Sequence, residues 1–571
     1  MKHPVVGRIF RIASLAIACF NALLFFAIRP CWSGISKTLG YEKGYNAFIY
    51  YLPVYVFVLL LAVAIAHIVL FFVLKKKALW SYIFLPIDLI FTAVIITVFA
   101  LGAIDYARYI FFDFANILGI LSVAGIVLFF IFVFPKTSLP QNKVFRWVLV
   151  GVLATGCLAT IANFSINAIS YEPVVYVVED TYQIVFSSHL KCLGWVEIDG
   201  TSYFDLYAGS EKSTDRVHKI SVPQTALDSA KSYTIHAQNF LYRGPFGAFK
   251  GYDLSKTYSF TPVDLSDGLN YYALSDIHLD RKGAVKAASW DPDLELLVLN
   301  GDVISMVDTH YDANIINRIA FDITKGGKPV IYARGNHEIK GRYAEKLYRY
   351  VGSKDEKFYY SFTLGGIYGC VLDWGEDHDD DWWEYYGTAD FESYRNEQIA
   401  FLDEEIAKGD FASAEYRLFV CHIPLPFINY RKNHVESKKA VVERLNQMNV
   451  DMLLAGHQHD LFVFEPGQVT PEKSPMHWNQ AYGGKKYSGY LLDFNFPSLM
   501  ISKHGLTQTD KPKAGEMGNM IGMKTTVDFA AKTSKSIYNN SRGEKVHVVN
   551  PFSPKDYGDE LDIDLTTKTI Q

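Results

Sequence analysis

Five apolar runs open the chain: Ile9 to Ile28, Phe48 to Leu74, Tyr82 to Ile104, Phe114 to Phe134 and Phe145 to Phe164. Each is about 20 residues or longer, enough for a helix to cross a hydrocarbon core. They predict an N-terminal α-helical membrane domain of about five transmembrane helices over residues 1–165. Helices of a soluble bundle carry a polar face that these runs lack, and one cleaved leader would account for one run only. Lys75, Lys76 and Lys77 lie between the second and third runs, and Lys136, Lys143 and Arg146 between the fourth and fifth. An excess of Lys and Arg marks cytoplasmic loops. An odd number of crossings then sends the rest of the chain outside, so the expectation is an integral membrane protein, membrane-embedded at its N-terminus, with an extracytoplasmic catalytic body.

From about residue 171 to 262 the pattern changes to short alternating segments, among them VVYVVED, TYQIVFSS, GWVEIDG, HKISVP and SYTIHAQNF. Alternation with period two, broken by Gly, Asp, Asn and Ser, predicts a small antiparallel β-sandwich. His189, His218 and His236 fall in separate segments of it and read as ordinary strand or loop histidines.

Beyond Asn270, short apolar runs alternate with stretches of helical period. Strands are predicted at Tyr271 to Leu274, Leu296 to Leu299, Val330 to Ala333, Leu418 to Cys421 and Met452 to Ala455. Helices are predicted at Asn314 to Thr324, before Gly326, and at Asn396 to Ala407, before Gly409. This is α/β texture, with functional groups expected beyond the carboxyl ends of the strands. Residues 268–510 are read as this catalytic domain. Residues 511–571 form a polar C-terminal extension, either a few peripheral strands or partly disordered.

Composition narrows the choices. The net charge of -5 gives no broad basic surface, so no stable nucleic-acid binding is expected. The 6 cysteines contain no CxxC, which argues against a disulfide scaffold or a thiolate zinc site.

Each predicted strand of the α/β region ends in polar residues. Ser275-Asp276-Ile277-His278 follows the first, Asn300-Gly301-Asp302 the second, and Arg334-Gly335-Asn336-His337-Glu338 the third. His422 follows the fourth, and Gly456-His457-Gln458-His459 the fifth. Carboxylate, amide oxygen and imidazole suit borderline first-row ions, and Asp276 with His278, or His457 with His459, can turn toward one ion. Seven ligands exceed what a single tetrahedral ion uses. Two divalent or trivalent transition-metal ions (Mn, Fe, Zn or Ni) sharing a carboxylate are the economical reading.

The ordered set DxH, GD, GNHE, a lone His after a strand, and GHxH resembles the calcineurin-like metallophosphoesterase superfamily over about residues 270–505. The resemblance implies one ion on Asp276, His278 and His459 and the other on Asn336, His422 and His457, with Asp302 bridging. It implies His337 as the acid at the leaving group, and a β-sandwich flanked by helices. The segment 171–262 likewise resembles the fibronectin-like domain that precedes the catalytic domain of purple acid phosphatases. Ser305, however, stands where those enzymes carry a tyrosine ligand, and His278 where they usually lack a histidine.

The implied activity is a metallophosphoesterase that hydrolyses phosphomonoesters or phosphodiesters by metal-bound hydroxide, on a phosphorylated small-molecule, lipid or nucleotide substrate. Arg334 is a candidate phosphate contact, because a guanidinium reaches two oxygens at once; a salt bridge is its alternative use. The run Trp374 to Tyr386, WGEDHDDDWWEYY, reads as a solvated loop with a tryptophan anchor, the alternatives being a substrate-facing loop or an added cation site. Two competing functions are a sensor or adhesion protein that only binds a phosphoryl ligand, and a transporter with a regulatory domain.

Overall fold

The computed structural model describes residues 172–188, 191–429, 434–459, 461–482, 485–502, 520–549 and 556–570, with residues 15, 17–19, 21, 61–69, 87 and 89–90 nearer the start. Residues 1–167 and 168–571 are two compact units.

In the first unit the expectation from sequence is corrected. Among the described residues no helix is long and apolar enough to cross a membrane. A span needs about 20 residues at a rise of about 1.5 Å each, and the longest described helical stretch of this unit is 61–69. The predicted fold class with about five transmembrane helices, the integral-membrane location and the extracytoplasmic placement built on them are withdrawn. Most of the five apolar runs themselves lie outside the described residues.

The second unit is built on two facing sheets. The six-stranded one runs Tyr360–Leu364, Ile367–Leu372, Tyr416–Cys421, Met452–Ala455, Ser498–Met500 and Val463–Phe464. The nine-stranded one has Leu269–Leu274, Leu296–Asn300 and Pro329–Ala333 at its centre, paired in parallel. Strand alternation explains how the two meet. Leu296, Val298, Ile331 and Ala333 face Val371, Leu418, Val420 and Leu454 in one core. Phe419, Cys421 and Leu453 point the other way, into a second core with Leu402, Val441 and Leu445 of the helices Phe391–Lys408 and Val435–Gln447. Burial on both faces is why these strands read as continuous apolar runs. Each fully buried Leu or Val contributes about 1.5–3 kcal/mol.

The two predicted helices form, but they begin earlier than expected, at His310 and Phe391. Thr309 and Asp312 make a reciprocal capping box at the start of the helix His310–Thr324. Gly409, left-handed at φ 73°, closes Phe391–Lys408.

The segments on either side of the α/β region are part of its architecture. Val174–Val178 pairs in parallel with Pro329–Ala333, and Thr181–Ser187 and Val217–Pro223 continue the nine-stranded sheet beyond it. The strands Cys192–Ile198, Thr201–Phe204, Ser232–Gly244 and Gly247–Ser259 make a separate four-stranded sheet. The fibronectin-like resemblance of 171–262 is therefore not confirmed. At the opposite edge, Ile521–Asp528, Thr533–Asn540 and Leu561–Asp564 extend the same nine-stranded sheet.

Tyr176, on the first of these strands, is tied to the helix His310–Thr324. Its hydroxyl donates to Asn317 Oδ1 at 2.6 Å, and Asn317 Nδ2 donates to the Tyr350 carbonyl at 2.7 Å, all buried. Tyr176→Phe strands Asn317 Oδ1 and should lower the local opening free energy of the Pro329–Ala333 strand by about 1–3 kcal/mol. Amide hydrogen exchange at Val330 and Ile331 measures it. Unchanged protection would show that the pairing holds without the bridge.

Candidate metal centre

All five ligand-bearing strands end at the same edge of the two-sheet core, and the loops beyond them are tied to one another. Asp276 N–H donates to the Gly301 carbonyl at 3.1 Å, His278 N–H to the Asp302 carbonyl at 2.9 Å, and Gly456 N–H to the His422 carbonyl at 2.7 Å. The buried Glu338 carboxylate accepts the N–H groups of Asp302 (2.9 Å), Ile304 (3.0 Å) and Gly335 (2.9 Å).

The glycines of the motifs serve close approach. A Cβ on Gly301, which also sits at φ +74°, would lie 2.5 Å from the His422 ring, and one on Gly456 would collide with Ser275 Oγ and lie 2.9 Å from Asp276 Oδ2. Asp276, His278, Asp302, His457 and His459 are themselves left-handed, with φ between 45° and 73°. Such backbone costs about 1–3 kcal/mol at each non-glycine residue and persists where the surroundings fix it.

Asp276, His278, Asp302 and His459 bring ligand atoms together in one group, and Asp302, His422 and His457 in another. Asp302 is common to both. Its Oδ2 lies 3.3 Å from His422 Nε2 and 3.8 Å from His278 Nε2 and His337 Nε2, and its Oδ1 accepts the His337 N–H at 3.0 Å. His278 Nε2 and His459 Nε2 face each other at 3.2 Å. Asn336 joins the second group, its Oδ1 3.1 Å from His457 Nδ1.

Carbonyls set two imidazole tautomers. The Asn300 carbonyl, 2.7 Å from His422 Nδ1, can only accept, so Nδ1 carries the proton there and Nε2 points to Asp302. The Ser305 carbonyl does the same for His337 Nδ1 at 2.9 Å. Residues fit a metal here on a direct observation: Asp276 Oδ1 is buried with no hydrogen-bond partner. A buried unsatisfied donor or acceptor costs about 1–3 kcal/mol, and cations are what this donor set attracts.

Electrostatics in the metal-free chain follow the same geometry. Burial works to raise the Asp302 carboxyl, but the His422 and His337 imidazoles outweigh it and hold it well below the usual range. Burial works to lower His422, and Asp302 overrides it, raising the imidazole to about 10. Burial, joined by Asp302, pushes Glu338 up to about 7.

Arg334 is not brought into either group. Its Nε donates to Asp373 Oδ2 at 2.8 Å, a second nitrogen lies 2.6 Å from the same oxygen, and the guanidinium sits 4.2 Å from the centre of the Phe358 ring.

Two residues with no assigned role from sequence stand directly behind the ligands. Glu376 accepts from Asn336 Nδ2 at 2.9 Å, and Asp377 Oδ2 lies 3.4 Å from His457 Nε2. Both are buried, whereas the solvated-loop reading suits Trp383 and Tyr386, which are exposed. The signal that would have found them is the same one that found the others: they follow the end of a strand, Ile367–Leu372.

Residues 269–461 match the family model described as calcineurin-like phosphoesterase. No curated protein matches the chain. Among solved structures the chain is similar to a purple acid phosphatase isolated from yellow lupin (Lupinus luteus) seeds, at 13% identity and TM-score 0.43, covering 70% of this chain and 74% of that one. It is similar to GAP50, the anchor in the inner membrane complex of Plasmodium, at 14% identity and TM-score 0.33, covering 51% and 91%. It is also similar to a dimetal phosphatase from Danio rerio, at 12% identity and TM-score 0.31, covering 49% and 98%. Residues 269–461 thus carry a calcineurin-like phosphoesterase domain, a phosphoric ester hydrolase that works with two transition-metal ions.

Proposed function

We propose that the chain hydrolyses phosphoric monoesters or diesters at a dinuclear centre in which Asp276, His278 and His459 hold one ion, Asn336, His422 and His457 the other, and Asp302 touches both. The observation that carries this reading is the position of Asp302, a member of both ligand groups. When bound, two such ions supply Lewis-acid charge to the phosphoryl oxygens and lower the pKa of water.

The protein's own part is to orient and to move one proton. Glu338 fixes the loop that carries Asp302, and Asn300 fixes the His422 ring so that Nε2 faces inward. His337 has its Nδ1 proton committed to the Ser305 carbonyl, which leaves Nε2 facing the centre beside Asp302. In this reading His337 Nε2 holds the proton that passes to the leaving oxygen. Arg334, paired with Asp373, stabilises its loop rather than the substrate.

Metal-stripped protein reloaded with Mn, Fe, Zn or Ni should hydrolyse p-nitrophenyl phosphate or its bis ester. Asp302→Asn should lower kcat by about 1,000-fold or more, the several kcal/mol that the ions supply. His337→Asn should lower it about 100- to 10,000-fold, the range of general acid catalysis. Full activity in Asp302→Asn, or none with any metal in the unaltered chain, would sink the proposal.

Loading should also release protons. His422 is held protonated below about 10 in the metal-free chain and must be deprotonated to act as a ligand. At pH 7 metal uptake therefore expels at least one proton, and apparent affinity rises with pH toward about 10. Calorimetry in buffers of different ionisation enthalpy reads the number directly, and zero would count against His422 as a ligand.

A further inference from the structure

Glu376 and Asp377 are consecutive, buried and outside the ligand set, and each stands behind a different ligand. By donating Nδ2 to Glu376, Asn336 has its amide orientation fixed, with Oδ1 left 3.1 Å from His457 Nδ1. Asp377 meets the opposite nitrogen of that same imidazole at 3.4 Å. A carboxylate on Nε2–H leaves the lone pair on Nδ1 and makes it a stronger donor.

Both carboxylates are themselves held. Lys438, 1% exposed, reaches Asp377 at 3.2 Å while donating to the carbonyls of Pro424 at 3.1 Å and Phe427 at 2.9 Å. Tyr385 donates its hydroxyl to Glu376 at 2.7 Å, and Lys340 lies 3.8 Å from the same carboxylate. Asn336 and His457 belong to the same proposed ion. His459, a ligand of the other, is 40% exposed against 17% for His457.

We infer that Glu376 and Asp377 are positioning residues for one ion alone, the one held by Asn336, His422 and His457. The inference rests on the dinuclear reading above. It makes the two sites unequal: one is braced by two fixed carboxylates, and its partner has an outer ligand open to solvent.

Mn2+ titration of the metal-stripped full chain, followed by calorimetry and by the electron paramagnetic resonance of spin-coupled against isolated Mn2+, tests it. The unaltered chain should take up two ions. Asp377→Asn and Glu376→Gln should each weaken one of them about 10- to 100-fold, leave the other unchanged, and raise the Mn2+ concentration at which the coupled signal appears. Removing Asp377 leaves the Lys438 ammonium buried, so Asp377→Asn combined with Lys438→Met separates loss of the brace from damage to the fold and should give the same selective loss.

The identity of the affected ion comes from combination. Added to His457→Ala, Asp377→Asn should cause no further loss; added to His459→Ala, it should still weaken the ion proposed on Asn336, His422 and His457. Equal weakening of both ions in the single and double variants, or no change in either, overturns the inference. An unaltered chain that takes up fewer than two Mn2+ overturns the dinuclear reading, and the inference with it.

Discussion

The Glu338 carboxylate is the fixed point of this site. Three backbone N–H groups from two different loops converge on it, so the end of the Leu296–Asn300 strand and the start of the GNHE turn cannot move independently. Above a pH of about 7, where Glu338 is ionised, these bonds are about twice as strong as neutral ones. Asp302 owes its position to this clamp. Its left-handed backbone and its burial would otherwise both be unfavourable, and every distance that makes the two ligand groups overlap starts from it.

A charged cluster of this kind is held only by a scaffold that resists relaxation. The two sheets supply that resistance, because the proposed ligands come from both: Asp276, Asp302 and Asn336 from the nine-stranded one, His422 and His457 from the six-stranded one. Close packing between Val298, Ile331, Val420 and Leu454 fixes how the sheets sit, and interiors packed this densely transmit small shifts rather than absorb them.

How much of this was legible in the sequence depended on range. The proposed ligands follow apolar strands within a few residues, so local pattern was enough to single out residues that the structure brings together; the helix stop at Gly409 was equally local, whereas the starts at His310 and Phe391 lie ahead of the expected ones. The strand Val174–Val178 was legible as a strand, but its partner was not: alternation reads alike in a separate sandwich and at the side of a larger sheet, and only the register of Val175 with Pro329 decides between them. Glu376 and Asp377 were hidden for the same reason. An acidic run looks solvated until Lys438, Arg395 and Tyr385, all distant or differently patterned, are seen to enclose it. The apolar runs of residues 1–165 show the converse case, where length and hydropathy alone suggested spans that no described helix has.

The ligand set divided between two sheets has a further consequence. Ions that bind only the assembled arrangement add their binding free energy to that of folding, by RT ln(1 + [L]/Kd) for each. Metal supply then acts on the lifetime of the chain as well as on its turnover of substrate. A metal-starved molecule keeps its left-handed loops at Asp276, His278, Asp302, His457 and His459 without the cations that would offset their cost. Proteases that sample open states would read the metal content of its surroundings through the abundance of this protein.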